Sequence, residues 1–319
     1  MGLRIIDSAL STPKKVVTND DLTKILDTSD EWISKRTGIK QRYQAVEETT
    51  SSMAIEVAKQ LLEKSKTDPS EIDLIVVATM SPDYMSPSVA AIVQGSIDAT
   101  NAMAFDISAA CSGFVYGMSI VNNMLHGGKF KKAILIGAEK LTRLLDWTDR
   151  STAILFGDAA AGILAENDSS NSSYLINEKL NTYGNMGQYL TAGNVAALDD
   201  PAQSYFFQMN GRKVYEFATK RVPESILTVL HEANIDPSEV KYFLLHQANE
   251  RIVKSVAKKL DLSMDKFPVN IGRFGNTAAA SEPVLLAEML ADGKINRGDI
   301  IVFSGFGGGL TVGTNVIKY

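Results

Sequence analysis

Cysteine is almost absent from this chain of 319 residues, in which Cys111 is the only one. A single thiol excludes a disulfide framework and is typical of a protein in a reducing compartment. The chain also lacks any apolar run close to the roughly 20 residues that span a bilayer. Its first residues contain no long apolar segment of the signal-peptide type. We therefore expect a cytoplasmic protein that does not enter a membrane.

Positive charge and histidine are also scarce. The chain has 32 Lys and Arg against 37 Asp and Glu, and its net charge of −5 argues against nucleic acid as the main partner. Only three histidines are available for chemistry. Hydrophobic residues make up 45%, which is ordinary for a soluble globular protein, and the length suffices for one large or two medium domains.

A faint internal repeat indicates how the chain is organised. Asp-Pro-Ser-Glu turns at residues 68–71 and 236–239 each lead into an apolar strand, and they lie 236 − 68 = 168 residues apart. The apolar segments 133–137 and 301–305 both end in glycine and have the same offset, 305 − 137 = 168. Two matches in one register are unlikely to arise by chance, so they predict a duplicated unit.

Helices and strands alternate within each copy of the repeat. Amphipathic helices at about residues 51–64 and 214–233 precede the two turns. Such alternation is typical of α/β units around buried sheets. The polar stretch 166–173 is the predicted connector. We therefore divide the chain into an N-terminal half, residues 1–168, and a C-terminal half, residues 169–319.

Cys111 lies between a predicted strand, residues 102–107, and a segment whose apolar residues have helical spacing. At the amino end of a helix, free N–H groups and the dipole favour thiolate over thiol. An inert buried cysteine is the alternative. The neighbours are small enough for another molecule to approach the sulfur: Ala109, Ala110, Ser112 and Gly113.

Of the three histidines, His246 is the candidate for chemistry. It ends the predicted strand 242–245, and ligands of α/β sheets bind at the carboxyl ends of strands. A structural histidine is the alternative. His126 precedes two glycines, which indicates a helix terminus, and His231 lies within a predicted helix.

Asn276 and a glycine run complete the candidate site. Subtracting the offset from Asn276 gives 276 − 168 = 108, inside the loop that carries Cys111. Pseudo-symmetry would therefore place both loops across a shared cleft, although a plain helix cap would also explain the asparagine. The run Gly-Phe-Gly-Gly-Gly at 305–309 follows the last apolar strand. It would let backbone N–H groups approach an anion closely.

Together these segments resemble the β-ketoacyl-[acyl carrier protein] synthase III enzymes of the thiolase superfamily. The resemblance covers essentially the whole chain. It implies an α/β, thiolase-like fold of two pseudo-symmetric halves, with mixed sheets packed around central helices in five layers (αβαβα), and a homodimer. The matching segments are residues 28–33, 36–39, 109–114, 246–249, 275–277 and 306–309.

The resemblance implies an acyltransferase that initiates fatty acid synthesis. An acyl-CoA primer, such as acetyl-CoA, would condense with malonyl-[acyl carrier protein] to give 3-oxoacyl-[acyl carrier protein] and carbon dioxide. Cys111 would carry the acyl group, and the N–H groups of Cys111 and Gly308 would form an oxyanion hole. His246 and Asn276 would stabilise the malonyl enolate as uncharged donors. No cofactor and no metal is implied, since the CoA thioester is a substrate.

Binding sites for CoA and the carrier protein follow from the same resemblance. Trp32 would stack on adenine with Arg150 on the other face of the base, and Arg36 and Arg150 would meet the phosphates. Partial burial at a helix is the alternative for Trp32. Further contacts are implied for Thr28, Gly211 and Asn249.

A cationic helix face follows His246. The four cations of this face lie at positions i, i+3, i+7 and i+8 of a predicted helix and therefore share one side of it. We expect them to bind the acidic carrier protein. A solvent-exposed helix face without a partner is the alternative. The four cations are Arg251, Lys254, Lys258 and Lys259.

The chain departs from the family pattern at three places. Glu282 stands where an apolar residue is usual, and Val312 stands where many members have tryptophan. Ser86, beside Met85, occupies the position at which many members place a phenylalanine that shapes the primer pocket across the dimer interface. The choice of primer therefore stays open.

Rival families fit less well. Thiolases need a second cysteine, elongating condensing enzymes need histidine in place of Asn276, and hydroxymethylglutaryl-CoA synthases need a glutamate in the loop that here reads Met-Ser-Pro-Asp at 80–83. A non-catalytic acyl-CoA-binding protein is opposed by the complete Cys-His-Asn set.

Overall fold

A computed structural model describes residues 2–168, 174–200 and 203–319, with only the backbone at Asp168. The strands are β1 (Gly2–Ser11), β2 (Lys15–Thr18), β3 (Gln41–Gln44), β4 (Leu74–Ala78), β5 (Met103–Ile107), β6 (Lys132–Glu139), β7 (Ala159–Asp168), β8 (Tyr174–Thr182), β9 (Leu190–Thr191), β10 (Gln208–Met209), β11 (Tyr242–Leu245), β12 (Ile300–Gly307) and β13 (Thr311–Lys318). The α-helices are α1 (Asn19–Leu22), α2 (Asp30–Thr37), α3 (Thr50–Ser65), α4 (Val89–Ser96), α5 (Gly113–His126), α6 (Arg150–Ala153), α7 (Gly211–Glu232), α8 (Glu250–Lys259), α9 (Ile271–Phe274) and α10 (Ser281–Ala291). Single 3₁₀ turns occur at Pro69–Glu71, Ala110–Ser112, Leu141–Leu144, Gly184–Tyr189, Val195–Leu198, Pro237–Glu239, Met264–Lys266 and Ala278–Ala280.

Two mixed sheets form the body of the molecule. The first has the order β1-β7-β6-β4-β5, in which β4 runs parallel to β5 and β6, and β7 is antiparallel to both of its neighbours. The second has the order β11-β12-β13-β8, with one parallel pair, β11 and β12. Strands β4 and β6 are apolar throughout their centres because helices cover both faces of the sheet.

Helices pack on both sides of each sheet, which gives five layers. α3 and α4 cover the outer face of the first sheet, and α7 and α8 cover the outer face of the second. α5 and α10 lie between the sheets, where their apolar residues form one core with both. α10 is buried along most of its length, which explains why most of its residues are apolar. The expected αβαβα arrangement is confirmed.

The 168-residue offset holds for the backbone as well as for the sequence. The turns Pro69–Glu71 and Pro237–Glu239 are both 3₁₀ helices with a complete capping box, in which an aspartate side chain accepts from the backbone and a glutamate bonds back. The turns Ala110–Ser112 and Ala278–Ala280 also correspond, since 278 − 110 = 168. Ala110 and Ala278 both have positive φ, 46° and 42°. The loops of Cys111 and Asn276 are therefore equivalent in structure.

The predicted boundary between the halves stays a prediction. The strands of the first sheet all come from residues 2–168 and those of the second from residues 174–318, which supports the division. Of the predicted connector, residues 166–168 extend β7, while residues 169–173 lie outside the described residues. Within the described ranges, none of the helices is both long and apolar enough to cross a membrane.

Candidate active site

Cys111 lies at the junction that the sequence predicts. β5 ends at Ile107, the 3₁₀ turn Ala110–Ser112 carries the thiol, and α5 begins at Gly113. Phe114 is fully buried in the central core, which anchors the first turn of α5. The cysteine is 5% exposed, so the sulfur reaches the surface only through a cavity.

A glycine strand end lies directly against the thiol. A Cβ built on Gly307 would stand 2.7 Å from Cβ of Cys111 and 2.9 Å from its Sγ, closer than side-chain carbons approach in folded proteins. Any other residue at this position would therefore displace the nucleophile. Gly305 is similarly tight against the backbone of the cysteine loop, because its Cβ would lie 3.1 Å from the carbonyl oxygen of Cys111. The glycine run thus permits β12 to pass close to the sulfur.

Asn276 is held by backbone from the other half of the chain. Its N–H donates to the carbonyl oxygen of Leu155 at 2.8 Å, and its carbonyl oxygen accepts from the N–H of Gly157 at 3.0 Å. Its side-chain Oδ1 accepts from the N–H of Ala278 at 2.9 Å. Because Oδ1 is occupied, Nδ2 is left as the donor that the side chain can offer a ligand.

His246 follows β11 and is 1% exposed. Its ring makes an edge-to-face contact with Phe306, with 5.0 Å between the ring centroids, and Nδ1 is buried without a partner among the described residues. Burial lowers the pKa of His246 to about 3, so the imidazole is neutral near pH 7. A neutral ring can donate one hydrogen bond without introducing a charge.

The resting thiol is less acidic than the sequence predicts. Burial raises the pKa of the Cys111 thiol well above its usual range, and the nearby carboxyl groups of Glu139 and Glu282 raise it further. These effects oppose the helix dipole, which acts within a turn of the helix end. Desolvation thus opposes the helix-end effect on which the sequence argument for a thiolate depends.

The two buried carboxyl groups near the thiol differ in their partners. Glu139 accepts from the N–H of Met80 at 3.2 Å and from the hydroxyls of Thr79 and Ser81, while burial raises its pKa to about 8. Glu282 is also fully buried, but neither of its oxygens has a hydrogen-bond partner among the described residues. Burial raises the pKa of Glu282 well above its ordinary value, which favours the neutral acid.

One cavity of about 970 Å³ joins the predicted residues. Cys111, His246 and Asn276 line it together with Gly307 and Gly308. Its wall also includes four of the six residues predicted to contact CoA: Trp32, Arg36, Gly211 and Asn249. A volume of this size suits a ligand with a long flexible arm. The structure therefore brings together residues that lie 276 − 32 = 244 positions apart.

The sequence reasoning missed the aromatic wall beside the thiol. The rings of Phe156 and Phe207 are stacked, with centroids 4.2 Å apart and an angle of 13° between their planes. Both line the cavity and belong to the same apolar cluster as Cys111. The Gly157-Asp158 pair that directly follows Phe156 is a sequence signal that could have drawn attention to this residue. Phe207 lies in an irregular segment in which no periodic pattern marks it.

Two guanidinium groups lie over the ring of Trp32. The Cζ atom of Arg36 is 4.4 Å from the ring centroid of Trp32 and that of Arg150 is 5.1 Å from it. Arg150 also donates to the carbonyl oxygen of Asp27 at 2.7 Å. Thr28 does not line the cavity, and its buried hydroxyl has no partner among the described residues.

Several predicted contact residues also have local structural roles. Asn249 caps α8, because its Oδ1 accepts from the N–H of Arg251 at 2.8 Å, and its Nδ2 donates to the carbonyl oxygen of Arg36 at 3.1 Å. Arg251 donates to the carbonyl oxygen of Lys35 at 2.8 Å. These bonds tie the start of α8 to the end of α2 at the mouth of the cavity.

The cationic face of α8 is partly neutralised. Lys254 forms an ion pair with Glu250 at 2.6 Å, and Lys259 donates to the carbonyl oxygen of Thr219 at 2.7 Å. The side chain of Lys258 has no ion pair or hydrogen bond among the described residues. Three of the four predicted docking residues are thus engaged within the chain, and Lys258 is the freest cation of the set.

Comparison with known proteins places these features in a family. A family model described as 3-Oxoacyl-[acyl-carrier-protein (ACP)] synthase III matches residues 105–184, and its C-terminal counterpart matches residues 230–319. The chain is similar to the beta-ketoacyl-[acyl-carrier-protein] synthase III of Lactobacillus helveticus (strain DPC 4571), with 57% identity over 99% of this chain and 98% of that protein. It is 46% identical to that of Streptococcus mutans over 99% and 98% of the two chains.

Solved structures agree over the full length. The crystal structure of 3-oxoacyl-[acyl-carrier-protein] synthase III from Aquifex aeolicus VF5 is 42% identical, covers 100% of both chains and superposes with a TM-score of 0.95. OleA from Xanthomonas campestris, at 18% identity, has a TM-score of 0.89 and shows the shared fold alone. These similarities confirm the thiolase-like α/β fold, and the chain belongs to the 3-oxoacyl-[acyl-carrier-protein] synthase III family.

Proposed function

We propose that this acyltransferase condenses an acyl-CoA primer with malonyl-[acyl carrier protein] to give 3-oxoacyl-[acyl carrier protein], the first condensation of fatty acid synthesis. The observation that supports it most is the cavity in which Cys111, His246 and Asn276 lie together beside Gly307 and Gly308. Acyl transfer needs a nucleophile and oxyanion donors, and decarboxylation needs donors for an enolate. This cavity offers both sets. The reaction uses no cofactor, since CoA enters as part of the substrate.

In the first step, the sulfur of Cys111 attacks the thioester carbonyl of the primer. The new C–S bond gives a tetrahedral intermediate, and on its collapse the bond to CoA breaks and CoA leaves as a thiol that has taken up the proton of Cys111. The N–H groups of Cys111 and Gly308 donate to the oxyanion of the tetrahedral intermediate. Burial raises the pKa of the resting thiol, which favours loss of its proton during the attack.

In the second step, malonyl-[acyl carrier protein] enters the cavity vacated by CoA. His246 and Asn276 donate hydrogen bonds to its thioester carbonyl oxygen, where negative charge develops as carbon dioxide leaves. The resulting enolate carbon attacks the acyl-Cys111 carbonyl, and the new C–C bond gives a second tetrahedral intermediate. This intermediate collapses by breaking the C–S bond, and the released Cys111 thiolate takes a proton from water to restore the thiol. A His246 with a pKa lowered to about 3 suits this role, because it donates as a neutral group.

We assign the CoA nucleotide to the mouth of the cavity. An adenine on Trp32 would replace the guanidinium of Arg150, whose side chain is 48% exposed and can swing outward to cover the other face of the base. Arg36 and Arg150 then remain near the phosphates. We also assign Thr28 to the nucleotide site, and we assign Gly211 and Asn249, which line the cavity, to the path of the pantetheine arm.

We assign docking of the acidic carrier protein to Arg251, Lys254, Lys258 and Lys259 on α8. The best test is Lys258→Glu, because the Lys258 side chain has no partner to lose among the described residues. We expect a higher KM for malonyl-[acyl carrier protein] and an unchanged KM for acetyl-CoA. Arg251→Glu would also break the bond to Lys35, so it is the less specific variant. Equal effects of Lys258→Glu on both substrates would contradict the docking role.

We also propose that two copies pair through β5. This strand is the edge of the first sheet, and Met103 on it is 50% exposed. Tyr84 and Met85, in the loop before α4, are also exposed, 62% and 88%, although Met85 also borders the cavity. An edge strand with exposed apolar side chains is suited to pairing with a second copy. The single cysteine suits the cytoplasm as the place of action, and neither membrane nor nucleic acid takes part.

Mass spectrometry after mixing with acetyl-CoA tests the proposed function. We expect one acetyl adduct on Cys111, and none in Cys111→Ala, which should still bind CoA. Absence of any acyl adduct from the wild-type protein, with acetyl-CoA and with longer and branched acyl-CoAs, while CoA binding is retained, would favour a non-catalytic acyl-CoA-binding protein and refute the proposal.

A further inference from the structure

A buried pair of hydroxyls joins the nucleophile loop to the glycine turn. The Oγ of Ser112 lies 2.9 Å from Oγ1 of Thr311, and Oγ1 of Thr311 donates to the carbonyl oxygen of Gly308 at 3.1 Å. Ser112 is fully buried and Thr311 is 5% exposed. Since the proton of Thr311 is directed to Gly308, the hydroxyl of Ser112 must be the donor in the first bond. The chain of bonds therefore runs in one direction, from Ser112 to Gly308.

This chain of hydrogen bonds connects the two proposed oxyanion donors. It begins at Ser112, which follows the first donor, Cys111, and it ends at Gly308, which is the second donor. The turn between β12 and β13 consists of Gly308, Gly309 and Leu310. Leu310 is fully buried in the C-terminal core and anchors the end of the turn, whereas Gly308 has no side chain of its own. Glycine has the largest conformational freedom of all residues, so the orientation of Gly308 depends on contacts of its backbone.

We propose that Ser112 and Thr311 are positioning residues, which fix the N–H of Gly308 relative to the N–H of Cys111. This inference rests on the proposed function, because it assigns the hydroxyls a part in the same acyl transfer. An oxyanion hole works only when both donors point to the place where charge develops. A displaced turn would leave the thiol intact and still weaken the donor pair.

The chain contains a matched control for this pair. Ser225 on α7 and Thr314 on β13 form another buried Ser–Thr hydroxyl pair, 2.8 Å apart. Ser225 is 4% exposed and Thr314 is fully buried. Neither residue lines the cavity. Ser225→Ala therefore removes the same kind of serine hydroxyl from a contact with a threonine of β13, without altering the oxyanion donors.

Single-turnover acetylation of Cys111 by acetyl-CoA, followed by mass, is the measurement. Ser112→Ala and Thr311→Val should slow acetylation on the order of tenfold to a hundredfold, less than the 10²–10³ expected when a donor is removed. Thr311→Ser should recover most of the rate, since it keeps the hydroxyl. The double variant should be no slower than the slower single variant, because both act through one chain. Ser225→Ala should acetylate at the wild-type rate.

Alkylation of Cys111 by iodoacetamide separates positioning from damage to the thiol. This reaction passes through no oxyanion, so its rate should stay within about twofold in every variant. The proposal is overturned if Ser112→Ala acetylates at the wild-type rate, if Thr311→Ser is as slow as Thr311→Val, or if alkylation falls in parallel with acetylation. A wild-type protein that alkylates but forms no acyl adduct, with acetyl-CoA or with longer and branched acyl-CoAs, would refute the proposed function and this inference with it.

Discussion

Replacing Glu282 by methionine should stabilise the protein, and more so as the pH rises. The carboxyl group is fully buried, has no hydrogen-bond partner among the described residues, and lies close to Gly305. A buried polar group without a partner costs about 1–3 kcal/mol of folding free energy. Methionine has a similar length and needs no partner, so we expect Glu282→Met to recover a stabilisation of that order.

The pH dependence follows from the direction of the pKa shift. Burial raises the pKa of Glu282 above its ordinary value of 4.5, so the folded protein keeps a proton that the unfolded chain loses. The wild-type protein therefore loses stability as the pH rises above 4.5, until the folded pKa is reached. The slope is at most about 1.4 kcal/mol per pH unit. Glu139 and Asp158, whose pKa values burial also raises, are present in both proteins and cancel in the difference.

Urea unfolding at pH 5, 6 and 7 measures the effect. The gap in unfolding free energy between Glu282→Met and the wild-type protein should widen at each step. Glu282→Gln is the control: it should show the same widening, because it removes the titrating group, but less stabilisation, because its amide is still unsatisfied. A gap that does not change from pH 5 to pH 7, or a variant less stable than wild type at pH 7, would refute the reasoning.

Three further substitutions test the site and the fold. Gly307→Ala should abolish the acetyl adduct on Cys111 while the circular dichroism spectrum stays native, because the new Cβ would stand 2.9 Å from Sγ; an adduct at the normal rate would contradict the packing. In a competition among acyl-CoA primers, Phe207→Ala should raise the proportion of Cys111 adducts that come from longer acyl-CoAs, as measured by mass spectrometry, since it removes one ring of the stacked pair with Phe156. An unchanged proportion would show that another part of the cavity limits the length of the primer. Asp83→Ala should cost about 1–2 kcal/mol in urea unfolding, because this carboxylate accepts two N–H groups at the start of α3; no loss would show that water replaces it.

The architecture and the three proposed reactive residues could be predicted because their signals are local or periodic. The strands β4 and β11 occur where apolar runs predict them, and the repeat offset alone predicts that the loops of Cys111 and Asn276 are equivalent. Helical spacing after Cys111 predicts α5 within a residue of its start. Each of these inferences depends on neighbours in sequence or on one constant offset.

What the sequence could not reveal depends on contacts between distant segments. The approach of Gly307 to the thiol, the stack of Phe156 on Phe207 and the pairing of Lys254 with Glu250 all require the packed structure. The effects that oppose the helix end at Cys111 are hidden from the sequence for the same reason. The helix end is visible in the sequence, whereas the burial and the carboxyl of Glu139 that oppose it are not.

A single parallel β-bridge pairs Phe156 with Asn276, and it limits where residues can be inserted into or deleted from the chain. The two residues lie 276 − 156 = 120 positions apart, yet one extra residue between 155 and 157 would shift the backbone partners of the amide that faces the cavity. Insertions there should be purged by selection as strictly as substitutions of Asn276 itself. The segment 155–157 contains no reacting group. We nevertheless expect active descendants of this protein to keep its length as strictly as they keep the residue types of the reacting loops.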